Sequence, residues 1–186
     1  RLYLSGNRYT DPIDGRSFRS FIPYGYNNVR KNALSPSTYS LERHRMLWLY
    51  LKNETDIFTK KIRLLHFAPE PAFHKIFKNC NNILYDTIDL NSPLAEIKAD
   101  ICDLPIENET YDYILCNHVL EHIDDDIKAM SELYRVLKKG GIGIFQIPID
   151  IERKNTFEDP SITSPKQRNK IFGQYDHVRI YGMDYF

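Results

Sequence analysis

Tyr111-Asp112-Tyr113-Ile114-Leu115-Cys116-Asn117 runs directly into His118-Val119-Leu120-Glu121-His122-Ile123. The first seven residues are apolar on both alternating faces, the pattern of a strand covered on both sides. From about Ile123 to Leu137 the apolar spacing becomes helical. Lys138-Lys139-Gly140-Gly141 then supplies a basic last turn and a glycine stop, and Ile142–Pro148 reads as another strand. Upstream, Ile62–Phe67 predicts a strand, Pro71–Lys78 a helix, Ile83–Leu90 a second strand and Glu96–Ile101 a shorter third. Strands alternating with helices, each strand apolar on both faces, predict a doubly wound α/β fold with a mostly parallel sheet. Such sheets bind ligands beyond the carboxyl ends of their strands, at the topological switch point.

The strand ends therefore carry the candidate chemistry. Asp89 closes the second strand, where a carboxylate can accept both hydroxyl protons of a ribose; an ordinary surface Asp capping a loop is the alternative. Asp100, at the third strand end, can accept from an exocyclic amine while Ile101 covers an apolar ring face. Asp103 reads as a turn or helix cap before Leu104-Pro105. His118 and His122 lie four apart, a spacing that also suits a metal, but the sequence places no third ligand nearby, so no metal is expected here.

The 186 residues suit one domain, or one domain with a small appendage. Hydrophobic residues make up 42% of the chain, enough for a packed core rather than disorder. The 25 basic and 25 acidic residues cancel, so no global field recruits nucleic acid or an anionic membrane. Apolar runs such as Gly143–Ile149 are too short to span a bilayer, and Arg1 to Arg8 does not read as a signal peptide. The chain starts without Met, so upstream residues removed or left out are an expectation. Cys80, Cys102 and Cys116 are odd in number and share no close-pair spacing, which fits reduced thiols in the cytoplasm. Composition changes near Ser40. Residues 1–40 form a small N-terminal appendage rich in turn residues and Tyr, and residues 41–186 the main domain. Ser40 is the expected N-cap of a helix carrying Leu41, Trp48 and Leu51 on one face.

The stretch from Asp100 to Gly141 contains Asp-x-x-Asp-Leu-Pro, Tyr-Asp-Tyr-Ile, Asn-His-Val-Leu-Glu-His-Ile, Glu132-Leu133-x-Arg135-Val136-Leu137 and Lys-Lys-Gly-Gly. In that order and spacing it resembles class I methyltransferases of the type 11 group, which use S-adenosylmethionine (SAM) and release S-adenosylhomocysteine. The likeness covers roughly Ile62 to Pro148 and implies a Rossmann-like sheet. It implies that Asp89, with Leu90, holds the SAM ribose, Asp100 the adenine amine and Ile101 the adenine face. Asn117 and His118 would border the methionine and methyl groups, with Arg135 and Gly140-Gly141 structural. The family's acidic, glycine-rich first loop is replaced by His66-Phe67-Ala68-Pro69-Glu70-Pro71. A proline there removes one N–H donor and fixes its φ. Either a reshaped loop of His66, Phe67, Ala68 and Pro69 still binds SAM, or the domain has lost its cofactor. Surviving Asp89, Asp100 and Asn117 favour the first.

Relatives with a His-Phe-Ala-Pro-Glu loop resemble a subgroup that also shares Phe172-Gly173-Gln174-Tyr175-Asp176-His177-Val178-Arg179-Ile180-Tyr181-Gly182. That segment reads as a loop ordered by its own hydrogen bonds or as a substrate lid, with His177 as general base and Arg179 as anion clamp. The same subgroup carries an N-terminal zinc ribbon. Its ligand positions match Asp11, Asp14, Ser35 and Thr38 here, a poor donor set, so no zinc is expected and Phe18, Phe21, Tyr24 and Tyr26 must support the ribbon by packing. Glu42, Arg43, His44 and Arg45 either reach the substrate cleft or form a solvated face. Complete sheets of the family continue beyond the position of Phe186, so truncation or a partner is implied.

Methyl transfer mainly requires alignment of the nucleophile, with a base for a hydroxyl or amine acceptor. His118 and His177 are the expected catalytic residues, with His122 a further candidate. The acceptor is not readable from the sequence, with a small molecule or a glycan among the candidates; no membrane or clear nucleic-acid partner is expected, and a homo-oligomer is left open. Two other readings compete: a SAM-binding regulatory module without activity, and a nucleotide-dependent oxidoreductase, disfavoured because no Gly-x-Gly-x-x-Gly follows the first strand.

Overall fold

The computed structural model describes residues 2–25 and 29–186. The chain forms two compact units, Arg1–Lys61 with Glu70–Ile83, and Ile62–Pro69 with Leu84–Phe186.

In the first unit, β1 (Ser5–Thr10) pairs antiparallel with β2 (Ser17–Phe18), and β3 (Ile22–Tyr24) with β4 (Arg30–Leu34). The turns following β1 and β4 meet at Asp11, which is fully buried. Its Oδ2 accepts from Thr38 Oγ1 at 2.5 Å and Ser40 Oγ at 3.2 Å, and its Oδ1 from the Ile13 N–H at 2.9 Å. Hydrogen bonds to a buried carboxylate thus join these turns. Ser35 is buried with its hydroxyl 3.2 Å from that of Ser37, while Asp14 accepts from the Arg16 N–H at 3.0 Å. Phe18 and Phe21 pack edge to face with centroids 6.0 Å apart, and Arg45 lies 4.9 Å over the Phe21 ring. Tyr24 is exposed, and Tyr26 lies outside the described residues.

Helix α1 (Glu42–Glu54) has Leu41 as its N-cap, one residue later than the expected Ser40. The Ser40 hydroxyl is spent on Asp11, and the Leu41 N–H donates instead to His44 Nδ1 at 3.1 Å. Leu47 and Leu51 form its buried face, and Trp48 packs on Phe58 at 5.0 Å. The helix α2 (Pro71–Lys78) has the predicted bounds, with Pro in its first turn and Phe73 and Phe77 fully buried.

The second unit is built on β5 (Ile62–Phe67), β6 (Ile83–Ile88), β7 (Tyr111–Asn117) and β8 (Leu137–Gln146), in the order β6-β5-β7-β8. β5 is parallel to β7 and β7 to β8. The two central strands are buried on both faces, which explains their unbroken apolar runs. Tyr111 and Asp112 begin β7 in a polar clasp. The Tyr111 hydroxyl and Arg63 Nε each donate to Asp86 Oδ2 at 2.9 Å, and Asp112 accepts from the Arg63 N–H and Lys138 Nζ.

Three sequence expectations need correction. The third strand, Glu96–Ile101, shrinks to one parallel bridge between Ile88 and Ile97, because the Asp89–Ala95 loop turns on side-chain hydrogen bonds before a ladder can extend. Lys138 to Gly141 belongs to β8, not to a helix end: α3 (Asp126–Val136) stops at Val136, and Gly140, with φ 76°, absorbs the register shift against β7. α3 also starts late. Leu120–His122 forms a single 3₁₀ turn, and Asp125 caps α3 by accepting from the Lys128 N–H at 2.9 Å. Ala129, Leu133 and Val136 of α3 pack on Leu65, Phe67, Ile114 and Cys116 of the sheet. Each such large side chain contributes roughly 1.5–3 kcal/mol by leaving water.

Arg135 ties α3 to the loop before β7, donating to the carbonyls of Leu104 and Ile106 and pairing with Glu132 at 2.7 Å. Glu132 also accepts from the Leu104 N–H, and these contacts, Arg135 first, lower its carboxyl from the ordinary 4.5 to about 2. Because the folded form holds this proton less readily, the stabilisation is complete above pH 4.5 and disappears as pH falls through about 2. After allowance for solvent screening, wild-type protein is expected to lose about 1–2 kcal/mol more than Glu132→Gln between neutral pH and pH ~3. Urea titrations across that range test this, and parallel pH profiles would contradict it.

Among the described residues no helix is long and apolar enough to cross a membrane, and no disulfide joins the cysteines. The remaining elements are β9 (Phe157–Glu158), α4 (Pro165–Ile171) and β10 (Arg179–Ile180), the last antiparallel to β9.

Candidate active site

Beyond the carboxyl ends of β5, β6 and β7 the second unit encloses a cavity of about 550 Å³. Phe67, Ala68, Asp89, Leu90, Asp100, Ile101 and His118 line it together, with Val119, His122, Arg168 and Asp176. This is the crevice position of a doubly wound sheet, between strands whose connections depart in opposite directions.

Ala68 and His118 follow the last residues of β5 and β7, and both have left-handed backbones, with φ of 46° and 54°. A side chain in that region costs roughly 1 kcal/mol or more, and such strain gathers at functional sites. Each is held by its own amide: the Ala68 N–H donates to Ile88 O at 3.0 Å and the His118 N–H to Gln146 O at 2.6 Å. Ala68 thus adopts the conformation a glycine would supply, while its N–H is committed to the protein and Pro69 has none.

Asp89 Oδ1 accepts from the N–H groups of Asn91 and Ser92, at 2.7 and 2.6 Å, which fixes the loop after β6 and leaves Oδ2 for a ligand. Asp100 Oδ1 likewise holds the Cys102 N–H at 2.8 Å, and Ile101 supplies a buried apolar wall. Neither His66 nor Asn117 lines the cavity. Alternation along a strand sends His66 to the face opposite Phe67, where it is buried with Nδ1 2.8 Å from the Tyr85 hydroxyl. Asn117 is buried at the end of β7 and is paired in register with Gln146. Pro69 follows Ala68 outside the lining.

At the mouth, His118 Nδ1 lies 3.2 Å from Glu121 Oε1. The Glu121 side chain is 1% exposed, and its Oε2 has no hydrogen-bond partner among the described residues. His122 Nδ1 lies 3.4 Å from Asp176 Oδ2, and its ring meets His177 edge to face with centroids 4.8 Å apart. Burial, and then the neighbouring His122, push the His177 imidazole below its ordinary range, so it is neutral near pH 7. His177 does not line the cavity; it stands behind His122.

The segment carrying His177 is fixed by Arg179, which is 3% exposed. Its guanidinium donates to the carbonyls of Leu120, Ile123 and Asp124 and pairs with Asp126 at 3.1 Å and Glu158 at 2.9 Å. Those contacts consume the donors an anion clamp would need. In the first unit, Glu42 pairs with Arg30, Arg45 donates to Ser40 O and His44 is buried. Local sequence gives no signal for Arg168 and Asp176, because α4 and the loop after it bring them to the cavity from far along the chain.

Residues 82–145 match a family model described as a methyltransferase domain. Over that third of the chain the sequence is similar to this methyltransferase family. An uncharacterized protein of Methanocaldococcus jannaschii is 41% identical over 76 residues, covering 38% of this chain and 33% of that protein. The chain thus spans about a third of the curated relatives it matches. Among solved structures, a SAM-dependent methyltransferase from Archaeoglobus fulgidus is 15% identical with a TM-score of 0.51, covering 75% of this chain and 63% of the other. The [4+2]-cyclase SpnF has 15% identity and a TM-score of 0.54, covering 82% and 58%. The chain therefore shares its fold with proteins of different named activities, and function must be argued from its site.

Proposed function

We propose that this chain binds SAM in the cavity beyond β5, β6 and β7 and transfers its methyl group to a small polar acceptor. The observation that carries this is the meeting of Asp89, just past the end of β6, and Asp100, in the loop after the Ile97 bridge, at one cavity of about 550 Å³. The cavity fits an adenosine. Asp89 Oδ2 accepts from ribose hydroxyls, Asp100 from the adenine amine, and Phe67, Ile101 and Val119 supply apolar cover. The altered first loop fits as well, since Ala68 already adopts the left-handed turn that lets the backbone pass close to a ligand. On this reading the chain belongs to a subgroup marked by His66-Phe67-Ala68-Pro69-Glu70.

SAM, when bound, supplies a methyl group on a positively charged sulfur. The protein positions the acceptor and receives its proton. His118 is the residue proposed for this step, supported by Glu121 Oε1 lying 3.2 Å from its Nδ1 and orienting the ring. On the acceptor side, a second cavity of about 420 Å³ is lined by Asp124, Glu158, Asp159 and Arg168, and Arg168 also lines the first. A wall so rich in hydrogen-bonding groups suits a polyhydroxylated small molecule or glycan, handled in the cytoplasm.

Calorimetric titration with SAM and S-adenosylhomocysteine tests the assignment. One molecule of each is expected to bind per chain and to raise the melting temperature, while NAD(P) does neither. Stabilisation by NAD(P) alone would favour an oxidoreductase, and SAM binding without turnover on any acceptor would favour a regulatory module.

A further inference from the structure

We propose that Glu121, His122 and His177 form a binding site for a borderline divalent transition cation such as zinc, placed to hold a hydroxyl acceptor beside the methyl-donor cavity. Its acceptor role rests on the methyltransferase reading; the metal site itself does not.

One donor atom from each residue lies within 4.8 Å of the other two. Ligands at zinc bond lengths of about 2.0–2.1 Å stand roughly 3.3 Å apart in a tetrahedron, so modest side-chain rotation closes the set. The second, independent observation is Glu121 Oε2. It is a buried carboxylate oxygen without a hydrogen-bond partner among the described residues, while the other oxygen is engaged by His118. A buried charge left half-satisfied is costly, and a cation answers that demand. Two imidazoles and one carboxylate make a three-ligand protein set that leaves positions open, the pattern of a reactive rather than a structural site. Asp176 Oδ2 lies 3.4 Å from His122 Nδ1, the side-by-side arrangement of a carboxylate supporting a histidine ligand. The frame is rigid where it matters. The Val178 N–H donates to Glu121 O at 2.9 Å, and Arg179 fixes the same two segments, so His177 is brought to Glu121 by backbone contacts.

The cation would lower the pKa of a bound hydroxyl. The acceptor oxygen then forms its bond to the methyl carbon as the carbon–sulfur bond breaks; sulfur keeps that electron pair as a neutral thioether, and the hydroxyl proton leaves to His118.

The test uses the full 186-residue chain, stripped with chelator and titrated with zinc alone, then with cobalt for its absorption spectrum. One equivalent of zinc is expected to bind and to raise the melting temperature. Glu121→Gln and His177→Asn should each weaken zinc at least tenfold and change the cobalt spectrum. Glu121→Gln preserves side-chain shape, so it decides the outcome if the His177 variant folds poorly. Absence of stoichiometric zinc binding overturns the site, as does unchanged affinity in Glu121→Gln. SAM titrations of the chelated protein separate the two proposals: SAM binding without zinc binding removes only this one, and zinc binding without SAM binding removes the methyltransferase reading alone.

Discussion

Arg179→Met is expected to lower the unfolding free energy by about 3–5 kcal/mol, the range for removing one member of a buried ion pair. The guanidinium carries the contacts that join the 120–126 turn to the C-terminal strand, three of them to main-chain carbonyls of Leu120, Ile123 and Asp124. Burial opposes its charge, but Tyr181, Glu158 and Asp126 outweigh that cost and keep it protonated. After truncation, Asp126 retains the Tyr181 hydroxyl at 2.6 Å, and Glu158 is largely solvated, so the heaviest loss falls on the three carbonyls. Arg179→Lys preserves the charge, but a single ammonium cannot reach the same set, and an intermediate loss is expected. Urea midpoints with an unchanged denaturant slope measure both variants. A loss below about 1 kcal/mol in the Met variant would contradict the role assigned to the guanidinium.

This contact also shows where sequence reasoning ran out. β5, α2 and β7 were legible residue for residue, because strands buried on both faces and a proline-started helix leave local patterns. The third strand was not, because its apolar residues recur like a strand while Asp89 and Ser92 turn the chain ahead of it. Glycine 140 read as a helix stop, yet the chain uses its left-handed freedom inside β8, a choice set by register against β7 rather than by local sequence. Within the candidate site, Asp89, Asp100, Ile101 and His118 could be found from strand ends alone. The pairing of His122 with His177 could not. Their spacing is fixed by hydrogen bonds from Val178 and Arg179 to residues more than fifty positions earlier, and periodicity carries no information at that range.

Replacing Asp89 should produce the largest loss of cofactor affinity. In Asp89→Ala, SAM is expected to bind about a hundredfold more weakly, corresponding to one or two charge-assisted hydrogen bonds at roughly 1.5–3 kcal/mol each. That variant confounds two functions, since Oδ1 also holds the Asn91 and Ser92 N–H groups that shape the loop. Asp89→Asn separates them. Its amide oxygen still accepts from both backbone donors, whereas the amide nitrogen cannot accept a ribose proton and the negative charge is gone. If Oδ2 grips the ribose, the Asn variant should keep wild-type stability yet lose about tenfold or more in affinity for both SAM and S-adenosylhomocysteine. If Asp89 serves only as a loop cap, Asn should bind SAM like wild type and only Ala should fail. Calorimetry on the two variants therefore distinguishes a ligand-binding carboxylate from a structural one, a choice that the strand-end position of Asp89 does not make by itself.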